Sequence, residues 1–499
     1  KSVTATAGTS STINVTLEDD ATALDEVVVQ AFGTAKKKDL TGAVSSIDSK
    51  LISSQSNSTL SRALEGAIPG LQVASIDGQP GVDMGIRVRG IGSGTQNNSD
   101  ALIVIDGVPN TNSNALSSLN PKDIESITVL KDAASTALWG SRGANGVVMV
   151  TTKKGQQGRA KVTFEGRWGI NQQGPFTYEK IDDPASLYEW AWQSIYNTAR
   201  FYGGKDFTTN VKNPNMSHEE AALFASQHLF NYTGSTTAFT GRNTLYNWMY
   251  YDVPGAKYVS TGTGNNRSAT MEGAYLIDPM TGKLNPNAEL LYWDPWDGHF
   301  LQNRFRQEYN VSVSGATDKT DYFISAGYLE DPSYIQGSSF NRYNVRSNIN
   351  SQITKWLKAG INMAYSRRAV QSPATRYGRN PGSAVANVFR WVNGQSALIP
   401  LFQRNADGSY ILDAAGNKQY TSAAEQNGSV VGPTGGPTST ANLDYILNHD
   451  KDETISNDIN IRGYVEAKFL KDFTFQANLA VDNTWAMRYR YISKLHGAG

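Results

Sequence analysis

Between residues 86 and 155 short β-branched runs alternate with glycines and one compact helical stretch. Ile86-Arg87-Val88-Arg89-Gly90 alternates apolar and basic positions, residues 101–107 form an apolar run ending at Asp106-Gly107, and residues 124–130 alternate again. Period-two patterning closed by turn residues predicts strands. A helix is expected over 133–139, capped by Asp132 and stopped by Gly140, with a returning strand over 146–152. Upstream, Leu60, Ala63, Leu64 and Ala67 recur at helical spacing after Ser58, a candidate cap, and before Pro69-Gly70. Together these elements describe a small α+β domain.

Beyond Gly155 the pattern changes to longer alternating segments. Hairpins are expected at 309–316 with 322–330, at 343–353 with 357–366, and at 458–468 with 473–485, and a further strand at 161–170. In the segment from 309, Tyr309, Val311 and Val313 share one face while Asn310, Ser312 and Ser314 share the other. That alternation fits both a soluble sandwich and a lipid-facing barrel strand. Two further features favour the barrel. Short turns after residue 316 and at Trp356 contrast with the long stretches 173–308 and 369–457. Tyr309, Tyr322, Tyr328, Tyr343, Trp356 and Tyr365 gather toward strand ends, where aromatic girdles meet membrane interfaces.

Composition narrows the choice. No window approaches eighteen uninterrupted apolar residues, which excludes a membrane-spanning helix, yet a closed sheet also satisfies every backbone group in lipid and scores weakly on hydropathy. A mean hydropathy of −0.42 is therefore compatible with a barrel. Net charge is zero, which argues against a nucleic-acid binder relying on basic charge. The chain has 24 Tyr, 17 Phe and 10 Trp, a content suited to a barrel or a glycan-binding surface, and no Cys, so neither disulfides nor thiolate metal sites contribute.

The wording of several runs is more specific than their periodicity. Gly85-Ile86-Arg87-Val88-Arg89-Gly90, Val104-Ile105-Asp106-Gly107-Val108-Pro109, and the run from Leu119-Asn120-Pro121 through Asp123-Ile124-Glu125-Ser126-Ile127 closely resemble the plug domain of TonB-dependent outer-membrane transporters. Lys131-Asp132-Ala133-Ala134-Ser135-Thr136-Ala137 followed by Gly140-Ser141-Arg142-Gly143-Ala144-Asn145-Gly146 resembles the SusC-like branch, which imports oligosaccharides or peptides. The resemblance implies a membrane β-barrel, antiparallel and of about 22 strands in the full protein, with an α+β plug in its lumen. The roughly seven wall strands read here are about a third of such a barrel, so the chain is expected to be the N-terminal portion of a longer protein.

On this resemblance, residues 1–20 are the end of a carboxypeptidase-regulatory-like β-sandwich, 21–40 a Ton box and linker, 41–155 the plug, and 156–499 the first part of the barrel with extracellular loops at 173–308 and 369–457. The Ton box is Asp25, Glu26, Val27, Val28, Val29, Gln30, Ala31, Phe32 and Gly33, a β-prone run of the kind that recruits a partner by strand addition. The implied partners are TonB, a SusD-like surface lipoprotein acting as a lid, outer-membrane lipid, and a glycan or peptide substrate. Arg87, Arg89, Asp106, Asp123, Lys131 and Arg142 are expected to form a polar lattice within the plug and against the polar lumen.

Signatures of an enzyme are incomplete. His218-Glu219-Glu220-Ala221-Ala222 opens like a zincin motif but has alanine where the second histidine belongs, and Gly90-Ile91-Gly92-Ser93-Gly94-Thr95 departs from the dinucleotide fingerprint at Thr95. The acidic pairs Asp19-Asp20, Asp182-Asp183 and Glu219-Glu220 read as solvated turns. No catalytic residue, cofactor or metal is expected, so transport energy comes from outside the chain. Aromatic-rich stretches at 176–192 and 292–296 suit sugar stacking, which makes Tyr188, Trp190, Trp293 and Trp296 the candidate substrate contacts. A passive porin or surface adhesin with a plug-like domain is the alternative.

Overall fold

The computed structural model describes residues 27–30, 33–36, 44–55, 57–74, 79–82, 84–90, 100–110, 115–174, 181, 183–201, 216–229, 251–261, 268–294, 296–373, 388, 401–402, 404, 408–420, 443–470 and 473–491. The sandwich strand expected within residues 1–20 lies outside them. The first described strands, β1 (Val27–Gln30) and β2 (Gly33–Lys36), pair antiparallel with each other alone.

The α+β domain follows. Its elements are β3 (Val44–Asp48), α1 (Ser49–Ser54), α2 (Leu60–Ala63), β4 (Leu71–Ala74), β5 (Gly85–Val88), β6 (Leu102–Ile105), β7 (Val108–Pro109), α3 (Ala115–Ser118), β8 (Ile124–Leu130), α4 (Ala133–Thr136) and β9 (Val147–Thr152). Five strands form one sheet in the order β3-β8-β9-β6-β7, in which only β6 and β9 run parallel, and β4 and β5 pair separately. One apolar core gathers Ile47, Ile52, Leu60, Leu64, Ile127 and Val150, while Val104, Leu130, Val147 and Met149 make a smaller cluster under Trp139.

Local chemistry explains the sharp turns. Asp106 and Gly107 both have positive φ, at 47° and 81°, between the paired residues Ile105 and Val108, the geometry of a two-residue primed hairpin. Gly146 has φ of 89°, and a Cβ there would lie 2.6 Å from Val88. Asp132 caps α4 as expected, accepting from the Ser135 N–H at 2.7 Å. The rest of that helix departs from expectation. It is α-helical for one turn and continues as a 3-10 segment over Ala137–Gly143, kinked at Gly140 (φ 60°, ψ −149°) rather than ended there. Nor does Ser58 cap the upstream helix, which is the single turn α2 with Thr59 as its N-cap residue.

A long strand, β10 (Gly158–Asn171), leads into a folded module rather than an open loop. This module contains α5 (Pro184–Phe201), α6 (His218–Gln227), β11 (Tyr251–Asp252), β12 (Ala256–Thr261), β13 (Ser268–Gly273) and β14 (Glu289–Leu290). Tyr188, Trp192, Ile195 and Ala199 fall at helical spacing on the buried side of α5, and the first three pack with Ala222, Ala225, Met271 and Ile277 into a separate core. The stretch 176–192, read as an aromatic loop, is therefore partly helix. The Ser217 hydroxyl and Glu220 form a capping box that starts α6.

After α7 (Trp296–Phe300) come β15 (Arg304–Ala316), β16 (Thr320–Pro332), β17 (Ser339–Gln352) and β18 (Leu357–Gln371), then α8 (Leu443–His449), β19 (Lys451–Phe469) and β20 (Phe473–Tyr491). With β10 they form a seven-stranded antiparallel sheet in sequence order. All three expected hairpins and the further strand are present, with longer strands than the alternation alone marked. Because β15 starts at Arg304, β18 runs to Gln371 and β19 starts at Lys451, the long connections are 172–303 and 372–450 rather than 173–308 and 369–457. Three short turns, at 317–319, 353–356 and 470–472, lie at the opposite end of the sheet from these connections.

The two faces of this wall differ sharply. Val162, Phe164, Trp168 and Ile170 of β10, Tyr343 and Val345 of β17, and Phe475, Leu479 and Val481 of β20 are exposed. Arg342, Asn344, Arg346, Asn348 and Asn350, the intervening residues of β17, are buried. Tyr309, Tyr328 and Tyr343 lie in one row across β15, β16 and β17, and Trp168 meets Tyr309 edge-on at 5.9 Å. Phe469 and Phe473 stack at the short-turn end beside exposed Trp356. Tyr365 pairs with Val345, one step inside the tyrosine row. From Tyr343 to Ile353 is about ten residues, which at ~3.4 Å each and a tilt of ~40° gives an apolar band roughly 25 Å tall.

Candidate functional site: the interface between domain and wall

The buried face of the wall packs against the α+β domain, and polar groups dominate the contact. Asp123, preceding β8, is 3% exposed; its carboxylate accepts from the Ser325 hydroxyl at 2.7 Å and faces Arg346 Nε at 3.5 Å. Arg342 is fully buried and donates to the backbone carbonyls of Ser58 at 3.0 Å and Leu119 at 3.1 Å. Asn348 donates to Thr152 Oγ1 and to the Lys153 carbonyl, and Asn120 donates to Asn310 Oδ1. Arg368 joins the Ser117 hydroxyl to Asp458, which also accepts from Thr484. These buried guanidiniums meet carboxylates and carbonyls from both sides of the contact, but the bonding is incomplete: Nε of Arg342 and of Arg346 is buried without a hydrogen-bond partner.

The interface also relies on close approach. Gly81, with φ of 79°, lies directly under the Phe340 ring, and any Cβ there would overlap it. Gln79 donates to the Gln371 carbonyl and to Ser372 Oγ, which ties the same loop to the far end of β18.

At the other edge, Lys122 reaches the carboxylate of Glu165 at 2.6 Å and the Ser53 carbonyl at 2.8 Å. Burial pulls the Lys122 ammonium below its ordinary range, and the neighbouring Glu165 carboxylate only partly opposes this.

The six residues expected to form the lattice divide into three groups. Asp123 is at its centre. Asp106, Lys131 and Arg87 act within the domain: Asp106 accepts from the Thr152 N–H and hydroxyl at 2.8 Å each, Lys131 donates to Ser45 Oγ and the Pro69 carbonyl, and Arg87 faces Asp100 at 3.8 Å. Arg89 and Arg142 are exposed and stand apart from the lattice. The wall partners Arg342, Arg346, Arg368 and Asp458 were not singled out from sequence, although their place on the polar face of alternating strands marks them as inward.

Other expected site residues lie elsewhere. Of the candidate substrate contacts, Tyr188 is 2% exposed inside the α5 core and meets Tyr251 edge-on, so it is a packing residue here. Trp190 and Trp293 are exposed, at 63% and 41%. The Trp296 side chain lies outside the described residues, as do Asp25, Glu26, Ala31 and Phe32; Val27 to Gln30 form β1 and Gly33 begins β2.

Comparison with known proteins assigns this arrangement. Residues 36–147 match the family model of the TonB-dependent Receptor Plug Domain. Over 161 residues, 31% of this chain, it is 47% identical to TonB-dependent receptor SusC of Bacteroides thetaiotaomicron, covering 16% of that protein. The chain belongs to the SusC-like TonB-dependent receptors. It is also 30% identical over 406 residues to TonB-dependent receptor P26 of Formosa agariphila, covering 81% of this chain and 31% of the relative. The chain thus spans about a third of the length of the Formosa relatives it matches.

Among solved structures, the RagAB peptide importer in its closed-closed state superposes with a TM-score of 0.57 at 20% identity, over 92% of this chain and 42% of that one. That likeness concerns the fold: a plug domain packed against part of an antiparallel β-barrel. TonB-dependent receptors are outer-membrane β-barrels. Among the described residues no helix is long and apolar enough to cross a membrane.

Proposed function

We propose that the full protein imports a large nutrient, an oligosaccharide or a peptide, across the outer membrane, with the plug gating the barrel. The observation that carries this reading is the chemistry of the plug seat. A permanent partition would be held most simply by apolar packing, whereas this plug meets its wall through Asp123, Arg342, Arg346, Asn348 and Arg368, groups that water can solvate once they separate. Such a seat is firm when closed and tolerates being opened.

The force that opens it comes from TonB acting on residues 25–33, where β1 is already extended. The connections 172–303 and 372–450, on the end of the sheet away from the short turns, face outward and receive a SusD-like lipoprotein as lid. Trp190 and Trp293 are the exposed aromatic faces there on which substrate can stack. On this reading residues 41–155 act as plug, 156–499 as the first part of the barrel, and no catalytic step is required.

Deleting residues 25–32 tests the proposal. Energised uptake should be abolished while membrane insertion and substrate binding persist. Uptake that survives the deletion would favour a passive porin or an adhesin. Growth on single glycans and single peptides identifies the substrate class, and Trp190→Ala with Trp293→Ala should weaken binding of that substrate.

A further inference from the structure

The first helix of the plug, anchored in the plug core by Ile52, is held at its C-terminal end by a barrel strand together with Lys122 of the plug. The carbonyls at the C-terminus of a helix lack intrahelical partners and favour cations. At the end of α1 the Ser53 carbonyl accepts from Arg167 Nη2 at 2.6 Å and from Lys122 Nζ at 2.8 Å. The Ser54 and Gln55 carbonyls accept from Arg167 Nη1 at 3.4 Å and 3.2 Å. Glu165 holds both cations, at 2.6 Å from Lys122 Nζ and 2.6 Å from Arg167 Nε. Arg167 and Glu165 belong to β10, the wall strand that follows the plug directly. Further on, Arg342 of β17 takes the Ser58 carbonyl.

The chain just before this point is attached differently. β3 is an edge strand, paired only with β8, through the partners Val44↔Leu130 to Asp48↔Ser126. Ile47 is its buried apolar residue, and Lys131 donates to Ser45. A pull entering at Val44 loads those pairs one after another. At Ser53 to Gln55 the same pull meets several charge-assisted bonds together, made by a planar fork whose donors cannot yield singly.

We propose that Arg167, positioned by Glu165 and assisted by Lys122, is the stop that ends the pulled segment. Tension from the N-terminal side peels β3 away from β8, pulls Ile47 and Ile52 from the plug core and draws the chain out as far as Ser53, where the load passes into β10. The remainder of the plug, seated through Arg342, Asp123 and Arg368, holds at this load and separates only under a greater one. The proposal rests on the import reading only for the source of the tension; the stop itself follows from the bonds above.

The test applies tension without TonB. These 499 residues contain no cysteine; Lys36→Cys, at the plug side of the β1–β2 hairpin, in the full receptor with any cysteine outside them replaced and held in outer-membrane fragments, gives a defined handle for single-molecule pulling. The first extension should release about ten residues, roughly 35 Å, from 44 to 53, and then arrest. Arg167→Ala should move the arrest to Ser58, releasing about fifteen residues, roughly 50 Å. Arg167→Lys keeps a cation without the fork, and should arrest at the wild-type length but at lower force.

An unchanged first extension in Arg167→Ala overturns the stop, as does an unchanged arrest force in Arg167→Lys should the alanine variant fail to insert. Capture of the same receptors by the TonB C-terminal domain separates the two readings. Arrest at Ser53 without capture supports the stop and removes the Ton box, whereas capture with unchanged extension removes the stop and keeps the Ton box.

Discussion

The plug and the module between α5 and β14 are both small bodies of helices and short strands, but they are fastened by opposite means. The module is held by its own apolar core, in which Trp192 donates to Ser226, and Ser226 in turn donates to the Ile277 carbonyl. The plug has a comparable core, yet its attachment to the wall is a set of buried ion pairs and hydrogen bonds. Apolar packing loses its full value once water enters, while polar pairs exchange protein partners for water at modest net cost. The difference suits a fixed shape in one place and a detachable seat in the other.

The largest test of this contrast is Trp192→Ala. Removing a buried indole from a core costs about 3–5 kcal/mol, and here it also takes away the donor to the Ser226 hydroxyl. The module should become protease-sensitive between α5 and β14, while hydrogen exchange in β8 and β9 stays as slow as before. Loss of plug protection in this variant would show that the two bodies stand or fall together.

Asp123→Asn probes the seat. It removes the negative charge beside Arg346 but leaves an oxygen for Ser325, so the plug should remain folded and bind the wall about 2 kcal/mol more weakly, the scale of a hydrogen bond to a charged group. Faster exchange confined to the residues facing β16 and β17 is the expected signature. Gly81→Ala disturbs the same interface by crowding rather than by charge. It forces a non-glycine residue into positive φ and pushes on Phe340, at a cost of about 1–2 kcal/mol from the backbone alone. An effect that spreads through the whole plug, rather than one centred on Gly81 and β17, would argue against a seat built from separable contacts.

How far the sequence reveals each region follows from the range of the interactions involved. The Asp106-Gly107 hairpin, the Asp132 cap and the alternation in β15 to β18 depend on near neighbours, and all are readable in the chain. So are the seven strands of the wall. The helix α5 was missed because Tyr188, Trp190 and Trp192 drew notice as aromatics, although Tyr188, Trp192, Ile195 and Ala199 already had helical spacing. Half of the plug seat was equally hidden. Arg346 and Asn348 are marked as inward by alternation, but which plug atom each one meets depends on pairing across roughly two hundred residues in the chain.

Lys122 offers the most delicate probe, because its charge sits where the polar seat meets the plug core. Burial lowers its folded value beneath the ordinary 10.5, and Glu165 recovers only part of that loss. Between the lowered value and 10.5 the unfolded chain holds a proton that the folded chain has released, so stability rises with pH across that alkaline window. Below the window both states are protonated and the burial cost is present in full and constant. Unfolding midpoints followed upward through that range should therefore climb slightly, and Lys122→Met should flatten the climb. The same slope in both proteins would assign it to another group and leave Lys122 as a simple strut between Ser53 and Glu165.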